Sequence, residues 1–559
     1  MTTERPSKHA PFSKVVCLGL DGATFDVIDP MVAQGRLPIL AKLLSAGTRA
    51  PLASTIPPLS APAWVSFMTG LNPGQHGVFH FRAMERGALS AGLVGSWAYR
   101  GRTIFDHASR AGLKVVAFGV PMTYPPWPVN GVMVSGFPTP DTRVTYSEPA
   151  EVGRHIGSLL KLSPVSGVVA GVEALKDNFE HYLARSTEAL VHLLEGQEVD
   201  LFCHVNSVTD WAAHKFWKYS DPAAPGYEPY PVEGGTLLES FYEQTDTSLS
   251  AILDAIPSDA LVVILSDHGT GPRSQLRFST NAWLASLGLF IPTPGQRGRT
   301  LASAALEQLR ARVPGKTALK QWAWRKAPAL RQLMRRSAGA LTAYGGAIDW
   351  GRTKAYRVSL HDHVEGVKVN LAGREPAGSV QPSDYESVRD RVLEAAGQLI
   401  DPSTGTNVIE AAYRREELYV GDHAHLAPDI VLTLNSAYEF APGTERRMFT
   451  RVAVSRLGRS SATHRPDGIL VMAGHGVREG YELSRANLVD VPATILWALG
   501  LEVPQEMDGQ VLTEAFDGTL VTEHPVRRGG TSARAVDQGV YSAQEEAQLA
   551  AHLNDLGYL

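Results

Sequence analysis

Short apolar runs alternate with stretches of helical spacing along most of the chain. Residues 15–20 read VVCLGL, 115–120 VVAFGV, 200–205 DLFCHV, 260–265 ALVVIL and 468–473 GILVMA. Runs this short and this apolar predict strands buried on both faces, as in a parallel sheet beneath helices. Between them, residues 37–46, 103–111, 172–194, 241–256 and 488–499 have helical spacing, with Gly47 and Gly500 as stops. Strands alternating with helices predict an α/β fold: a mainly parallel sheet with helices on both faces. Residues 273–455 break the rhythm, although 367–371 and 429–434 still read as strands. The expected organisation is a core in two parts, 1–272 and 456–515, around an inserted cap at 273–455. A polar, peripheral tail at 516–559 completes it.

One stretch stands out from the alternation. Residues 54–77 read STIPPLSAPAWVSFMTGLNPGQHG. Pro57 and Pro58 exclude a helix before Leu59, whereas Pro62 suits the first turn of a new one, which Gly70 can close. Ser60 then stands at a helix start, where free N–H groups and the helix dipole attract anions. Taken alone, its hydroxyl is better read as a cap than as a nucleophile at a phosphate site.

Composition narrows the class. At 559 residues the chain exceeds one compact core. A hydrophobic fraction of 44%, a charged fraction of 19% and a net charge of −5 are those of a globular protein with no bulk attraction for nucleic-acid polymers. Cys17 and Cys203 both lie in apolar runs, which predicts buried thiols and excludes a disulfide framework. No apolar run reaches eighteen residues and none opens the chain, so no membrane span is expected and the cytoplasm is the expected location. Between Arg297 and Arg336 eleven Lys or Arg face a single acid, Glu307. A solvated basic face is the simpler reading, and a contact for an anionic substrate or membrane surface the sharper one.

Polar residues cluster where strands end. Asp21 follows the first strand, Asp210 follows the third within a few residues, and Asp267-His268 follow the fourth. In a parallel sheet such ends share one edge, where ligands bind. Asp210 and His214 are spaced i, i+4 and face one side of a helix, and His464 precedes the run 468–473. Three Asp and three His suffice for two adjacent ions with mixed O and N ligands, which suits zinc or another borderline divalent metal. Two such ions can activate a nucleophile and stabilise a leaving oxygen during displacement at phosphorus.

The segments LDG (20–22), PPLSAPAWVSFMTGLNPGQHG (57–77), DWAAH (210–214), SDHG (266–269) and THRPDG (463–468), in this order, resemble the alkaline phosphatase superfamily. More narrowly they resemble the prokaryotic type I phosphodiesterase/nucleotide pyrophosphatase branch, as do DWGRTKAY (349–356), VNLAGREP (369–376) and VDVPATILWALGL (489–501). The resemblance covers most of residues 14–510 and implies an alkaline-phosphatase-like core. Carried over by position, it implies that Ser60 is the nucleophile and a ligand of one metal, together with Asp21, Asp267 and His268. It implies a second metal held by Asp210, His214 and His464, and a phospho-Ser60 intermediate. The implied cofactors are two divalent ions, zinc first, with manganese or iron as alternatives. The implied partner is a small phosphorylated substrate.

Two departures bear on the substrate. Pyrophosphatases of this branch usually carry Thr where Ser60 stands, and an Asn soon after His76-Gly77, where this chain has Val78, Phe79, His80 and Phe81. The expected activity is hydrolysis of a phosphodiester or nucleotide pyrophosphate. A phosphomonoesterase or phosphomutase is the alternative, and a catalytically silent binding module the alternative from another class. A sulfatase is disfavoured because the residues after Ser60 lack the Arg of that signature. His76 is expected to be structural, His80 to pack, and His475 to be a lesser candidate than His464.

Overall fold

The computed structural model describes residues 10–558 except 86–87, 141–143, 158–170, 196–197, 257–258, 294–347, 442–446, 458–459, 532–538, 540 and 557. The basic stretch 297–336 therefore lies outside the described residues.

The strand Val15–Leu20 is buried along its whole length. It pairs in parallel with Leu201–Asn206 on one side and Leu261–Leu265 on the other. Beyond Leu201–Asn206 the sheet continues in parallel through Val115–Val120 and Gly131–Ser135, with Ser147–Glu148 antiparallel at the edge. Beyond Leu261–Leu265 comes Asp467–Ala473, antiparallel to its neighbours Leu261–Leu265 and Gly47–Ala53. Short strands Tyr481–Glu482 and Ala486–Asn487 complete a ten-stranded, mainly parallel sheet.

Alternation along Val15–Leu20 divides the interior. Val15 and Cys17 pack with helices Ser60–Thr69, Ile104–Arg110 and Asp490–Ala498. Val16, Leu18 and Leu20 pack with Phe25–Ala33, Pro38–Ser45, Val172–Leu194, Val208–Phe216 and Leu237–Asp254. Both faces are thus covered, as the continuous apolar strands require.

After Leu265 the chain leaves this sheet and rejoins it at Asp467. In between it builds a four-stranded antiparallel sheet from Ala355–Ser359, Val364–Val369, Ile430–Leu434 and Ile409–Arg414. Helices Thr280–Ser286 and Tyr385–Gly397 share its core. A two-stranded ribbon, Gly269–Pro272 with Ala462–Arg465, ties the exit to the return and sets Thr270 opposite His464.

Two expectations need correction. Gly47 does not merely stop a helix: it opens the strand Gly47–Ala53, which its Gly, Arg and Pro content concealed. The segment after residue 516 is not wholly peripheral, since helix Ala543–Leu556 buries Leu549 and Leu553. Cys17 and Cys203 are buried opposite each other on adjacent strands, without a bridge. Among the described residues no helix is long and apolar enough to cross a membrane.

Candidate metal centre

Sheet direction explains why distant residues converge. Asp21 follows Val15–Leu20, and Asp267 and His268 follow Leu261–Leu265, so they stand at the carboxyl edge of parallel strands. Helix Val208–Phe216 starts just after Leu201–Asn206 at that edge and carries Asp210 and His214. Gly47–Ala53 runs parallel to these strands, so the segment after it arrives at the same edge with Ser60. His464 reaches the edge from the other direction, because the strand after it runs antiparallel.

Ser60 is the first residue of helix Ser60–Thr69, ten buried residues closed by Gly70 at φ +67°. Leu59, with no side-chain hydrogen bond, occupies the cap position. The capping role expected from residue type alone is therefore not the one Ser60 plays. Its Oγ lies 3.2 Å from His268 Nε2 instead.

Two groups of ligand-type atoms lie within 4.8 Å of one another, Asp21 with Asp267 and His268, and Asp210 with His268 and His464. His268 Nε2 is 3.3 Å from Asp267 Oδ2 and 3.7 Å from Asp21 Oδ1. Across the centre, Asp210 Oδ1 lies 3.2 Å from His214 Nε2 and 3.6 Å from His464 Nε2. The latter two nitrogens are 3.0 Å apart. His268 thus sits between the groups, with its ring 3.6 Å from that of His464. All seven residues singled out in the sequence come together here, and His475 lies exposed elsewhere.

The hydrogen bonding fits metal binding. His268 Nδ1 faces the Gly269 carbonyl, His464 Nδ1 the Pro58 carbonyl, and His214 Nδ1 both Ser460 Oγ and the Ala462 carbonyl. A ring that donates from Nδ1 to a carbonyl keeps the Nε2 lone pair for a metal. On the carboxylates, Asp21 Oδ1, Asp210 Oδ1 and Asp267 Oδ2 are buried without a hydrogen-bond partner. Three orphaned oxygens facing three inward nitrogens are costly unless a cation satisfies them. Burial, then the neighbouring carboxylates Asp267 and Asp210, push the Asp21 carboxyl well above the usual range. Burial, with Asp210 adding to it, also raises Asp267. Burial acts upward on Asp210 too, but the imidazoles of His214 and His268 and the Tyr558 hydroxyl together bring it below the usual range.

The remaining histidines divide as residue context suggests. His76 is buried between Ser66 Oγ and the Val78 amide, a structural role. His80 accepts from the Arg82 amide and is buried. Two neighbours of the centre were not foreseen. His361, in the turn between Ala355–Ser359 and Val364–Val369, stacks on His464 at 4.9 Å. Tyr558 donates to Asp210 Oδ2 at 2.6 Å. The doublet His361-x-His363 was a faint signal in the sequence; Tyr558 gave none.

The chain is similar to human ectonucleotide pyrophosphatase/phosphodiesterase 5 at 11% identity over 90% of this chain and 100% of that one, with a TM-score of 0.44. It is similar to phosphonoacetate hydrolase from Sinorhizobium meliloti, solved with phosphonoacetate, at 16% identity over 88% of this chain and 95% of that one, with a TM-score of 0.49. No curated protein matches it. Residues 15–462 match the family described as type I phosphodiesterase / nucleotide pyrophosphatase. With that match over most of its length, the chain belongs to this family.

Proposed function

We propose that this phosphoric ester hydrolase acts on a phosphodiester or nucleotide pyrophosphate through a phospho-Ser60 intermediate at a two-metal site. The observation that carries the reading is the Ser60 hydroxyl, 3.2 Å from His268 Nε2 and beside the imidazole shared by both ligand groups. Asp21, Asp267, His268 and Ser60 hold one divalent ion, and Asp210, His214 and His464 the other. The ions, when bound, supply the positive charge that lowers the serine pKa and stabilises the leaving oxygen. Three imidazoles and three carboxylates favour zinc, with manganese or iron as alternatives.

Within the chain, helix Ser60–Thr69 presents the Ser60 hydroxyl with its own N-terminus beneath the anion. Ser60 Oγ forms a bond to phosphorus as the ester oxygen departs, and the serine proton goes to that oxygen, giving a phosphoserine and a free alcohol or phosphate. Water then attacks phosphorus as the P–Oγ bond breaks; its oxygen stays on the product and one of its protons goes to Ser60 Oγ. The cap segment 273–455 is proposed to choose the leaving group, since its turn brings His361 against His464. Ser rather than Thr at position 60 favours the second reading, a phosphomonoesterase. The cytoplasm is the proposed location, which suits buried, unbridged Cys17 and Cys203.

The test is metal content together with hydrolysis of bis-p-nitrophenyl phosphate and p-nitrophenyl phosphate, by the natural protein and Ser60→Ala. Two ions per chain and diester preference are expected, with turnover in Ser60→Ala reduced at least about 10³-fold while its fold persists. Monoester preference would establish the second reading. A Ser60→Ala variant with undiminished turnover would sink the phosphoserine mechanism.

A further inference from the structure

The helix Ala543–Leu556 is anchored to the core along its length. At its start Ser542 and Glu545 exchange hydrogen bonds, Glu545 also accepts from the Tyr124 hydroxyl, and the Tyr541 ring lies 4.6 Å from that of Trp97. One turn apart, Leu549 and Leu553 are both fully buried. Past its end the Tyr558 amide donates to the Leu553 carbonyl at 2.9 Å. This turn sends the Tyr558 side chain back into the candidate metal centre. Its ring has as neighbours Phe81 at 5.1 Å, Phe137 at 5.8 Å, His464 at 5.9 Å and His214 at 6.0 Å.

The phenol oxygen stands beside two groups, the Asp210 carboxylate and the Ser60 hydroxyl. It donates to Asp210 Oδ2 at 2.6 Å, while Asp210 Oδ1 stays without a hydrogen-bond partner and faces the Nε2 atoms of His214 and His464. A carboxylate torsion is broad and two-fold, so without a partner either oxygen can turn inward. A phenol has one proton to give, and giving it to Oδ2 selects Oδ1 for the centre. The histidines of the same group are held in the same way, by acceptors on Nδ1.

We propose that Tyr558 is a positioning residue of the metal centre: its hydroxyl clamps the Asp210 carboxylate with Oδ1 toward His214 and His464. The proposal rests on the reading of these three residues as one ion's ligands. Its consequence is that the ion held by Asp210 depends on a helix distant in sequence from the segments that supply the ligands. Loss of an outer hydrogen bond of this kind weakens metal affinity about 10- to 100-fold.

The experiment uses the natural protein, Tyr558→Phe and Asp210→Ala, each stripped with a chelator and titrated with zinc alone against a competing indicator. Tyr558→Phe keeps the ring and removes only the proton donor, and melting of the stripped proteins checks that the fold is unchanged. The expected result is two ions in the natural protein, one in Asp210→Ala, and two in Tyr558→Phe, one of them about 10- to 100-fold weaker. Wild-type affinity at both sites of Tyr558→Phe overturns the positioning role, as does unchanged affinity with faster turnover, which would make the phenol an obstruction. Equal zinc content in Asp210→Ala and the natural protein instead overturns the ligand assignment itself. The two failures are therefore separable.

Discussion

At the scale of the residue, the chemistry-bearing positions were legible because their types are expensive to bury without a purpose. Asp21, Asp210 and Asp267 sit at the ends of apolar runs, and each leaves one buried oxygen unpartnered. Tyr558 was not legible, since a tyrosine in a polar stretch has many uses and only the folded chain shows where its hydroxyl points. Ser60 was legible as a helix start but not as a residue freed from capping, because Leu59 at the cap position is an atypical choice. Gly22 offers a test of how tightly the centre is built. Its φ is +67°, and a Cβ there would stand 2.8 Å from Thr270 Oγ1 and 2.9 Å from Asp210 Oδ1. Gly112 has φ +81° with nothing within 4 Å of a Cβ, which makes it a control. Both Gly→Ala changes should cost about 1–2 kcal/mol of stability through the left-handed backbone. Only Gly22→Ala should also weaken zinc binding and slow hydrolysis, because its methyl crowds Asp210 Oδ1, the oxygen proposed to face the ion. Denaturant titration with zinc titration of both variants separates the effects, and equal zinc affinity in the two would show that the centre tolerates the methyl.

At the scale of the element, continuous apolar runs gave the central strands to within a residue, as for Val15–Leu20 and Val115–Val120. The pattern could not give direction: Asp467–Ala473 is as apolar as its neighbours, yet it runs antiparallel to them. Direction matters, for it lets a residue preceding a strand, His464, join residues that follow strands. Gly47–Ala53 escaped notice because its burial alternates and Pro51 interrupts the run. The buried strand Leu201–Asn206 carries a histidine, His204, whose Nδ1 faces the Phe118 carbonyl at 3.0 Å. Burial lowers its pKa from 6.5 to about 4, outweighing that hydrogen bond. Below pH 6.5 the unfolded chain takes up a proton that the folded chain refuses until about pH 4, so this contribution is complete above 6.5 and lost on the way down. The loss reaches about 2 kcal/mol at pH 5. Urea titrations at pH 7 and pH 5 should therefore show His204→Asn, which can still donate to Phe118, losing less stability on acidification than the natural protein. An identical loss in both would mean that His204 titrates normally.

At the scale of the whole molecule, the candidate centre is the place where separate parts of the chain are held to one another. Asp21 comes from the end of Val15–Leu20, Ser60 from the helix after Gly47–Ala53, Asp267 and His268 from the end of Leu261–Leu265, Asp210 and His214 from a helix on one face, and His464 from the strand Ala462–Arg465 ahead of the return. The turn carrying His361 and the helix ahead of Tyr558 close over them. Without cations, three carboxylates and three imidazoles share a buried edge with three oxygens unpaired. The fold must then carry that desolvation and repulsion from its other contacts. Ions that bind the folded chain and not the unfolded one relieve it, and stabilise by about 2.7 kcal/mol per site at a hundredfold excess over Kd. The chelator-stripped protein should accordingly melt several degrees lower than the zinc-loaded one, by an amount that rises with free zinc. On the proposed ligand assignment the dependence should weaken in Asp210→Ala, which removes a ligand of one ion, and persist in Ser60→Ala, which keeps every histidine and carboxylate. Scanning calorimetry across a zinc series reads this directly. Melting independent of zinc would mean that the centre is rigid without its ions, and that the surrounding sheets and helices alone keep the carboxylates together.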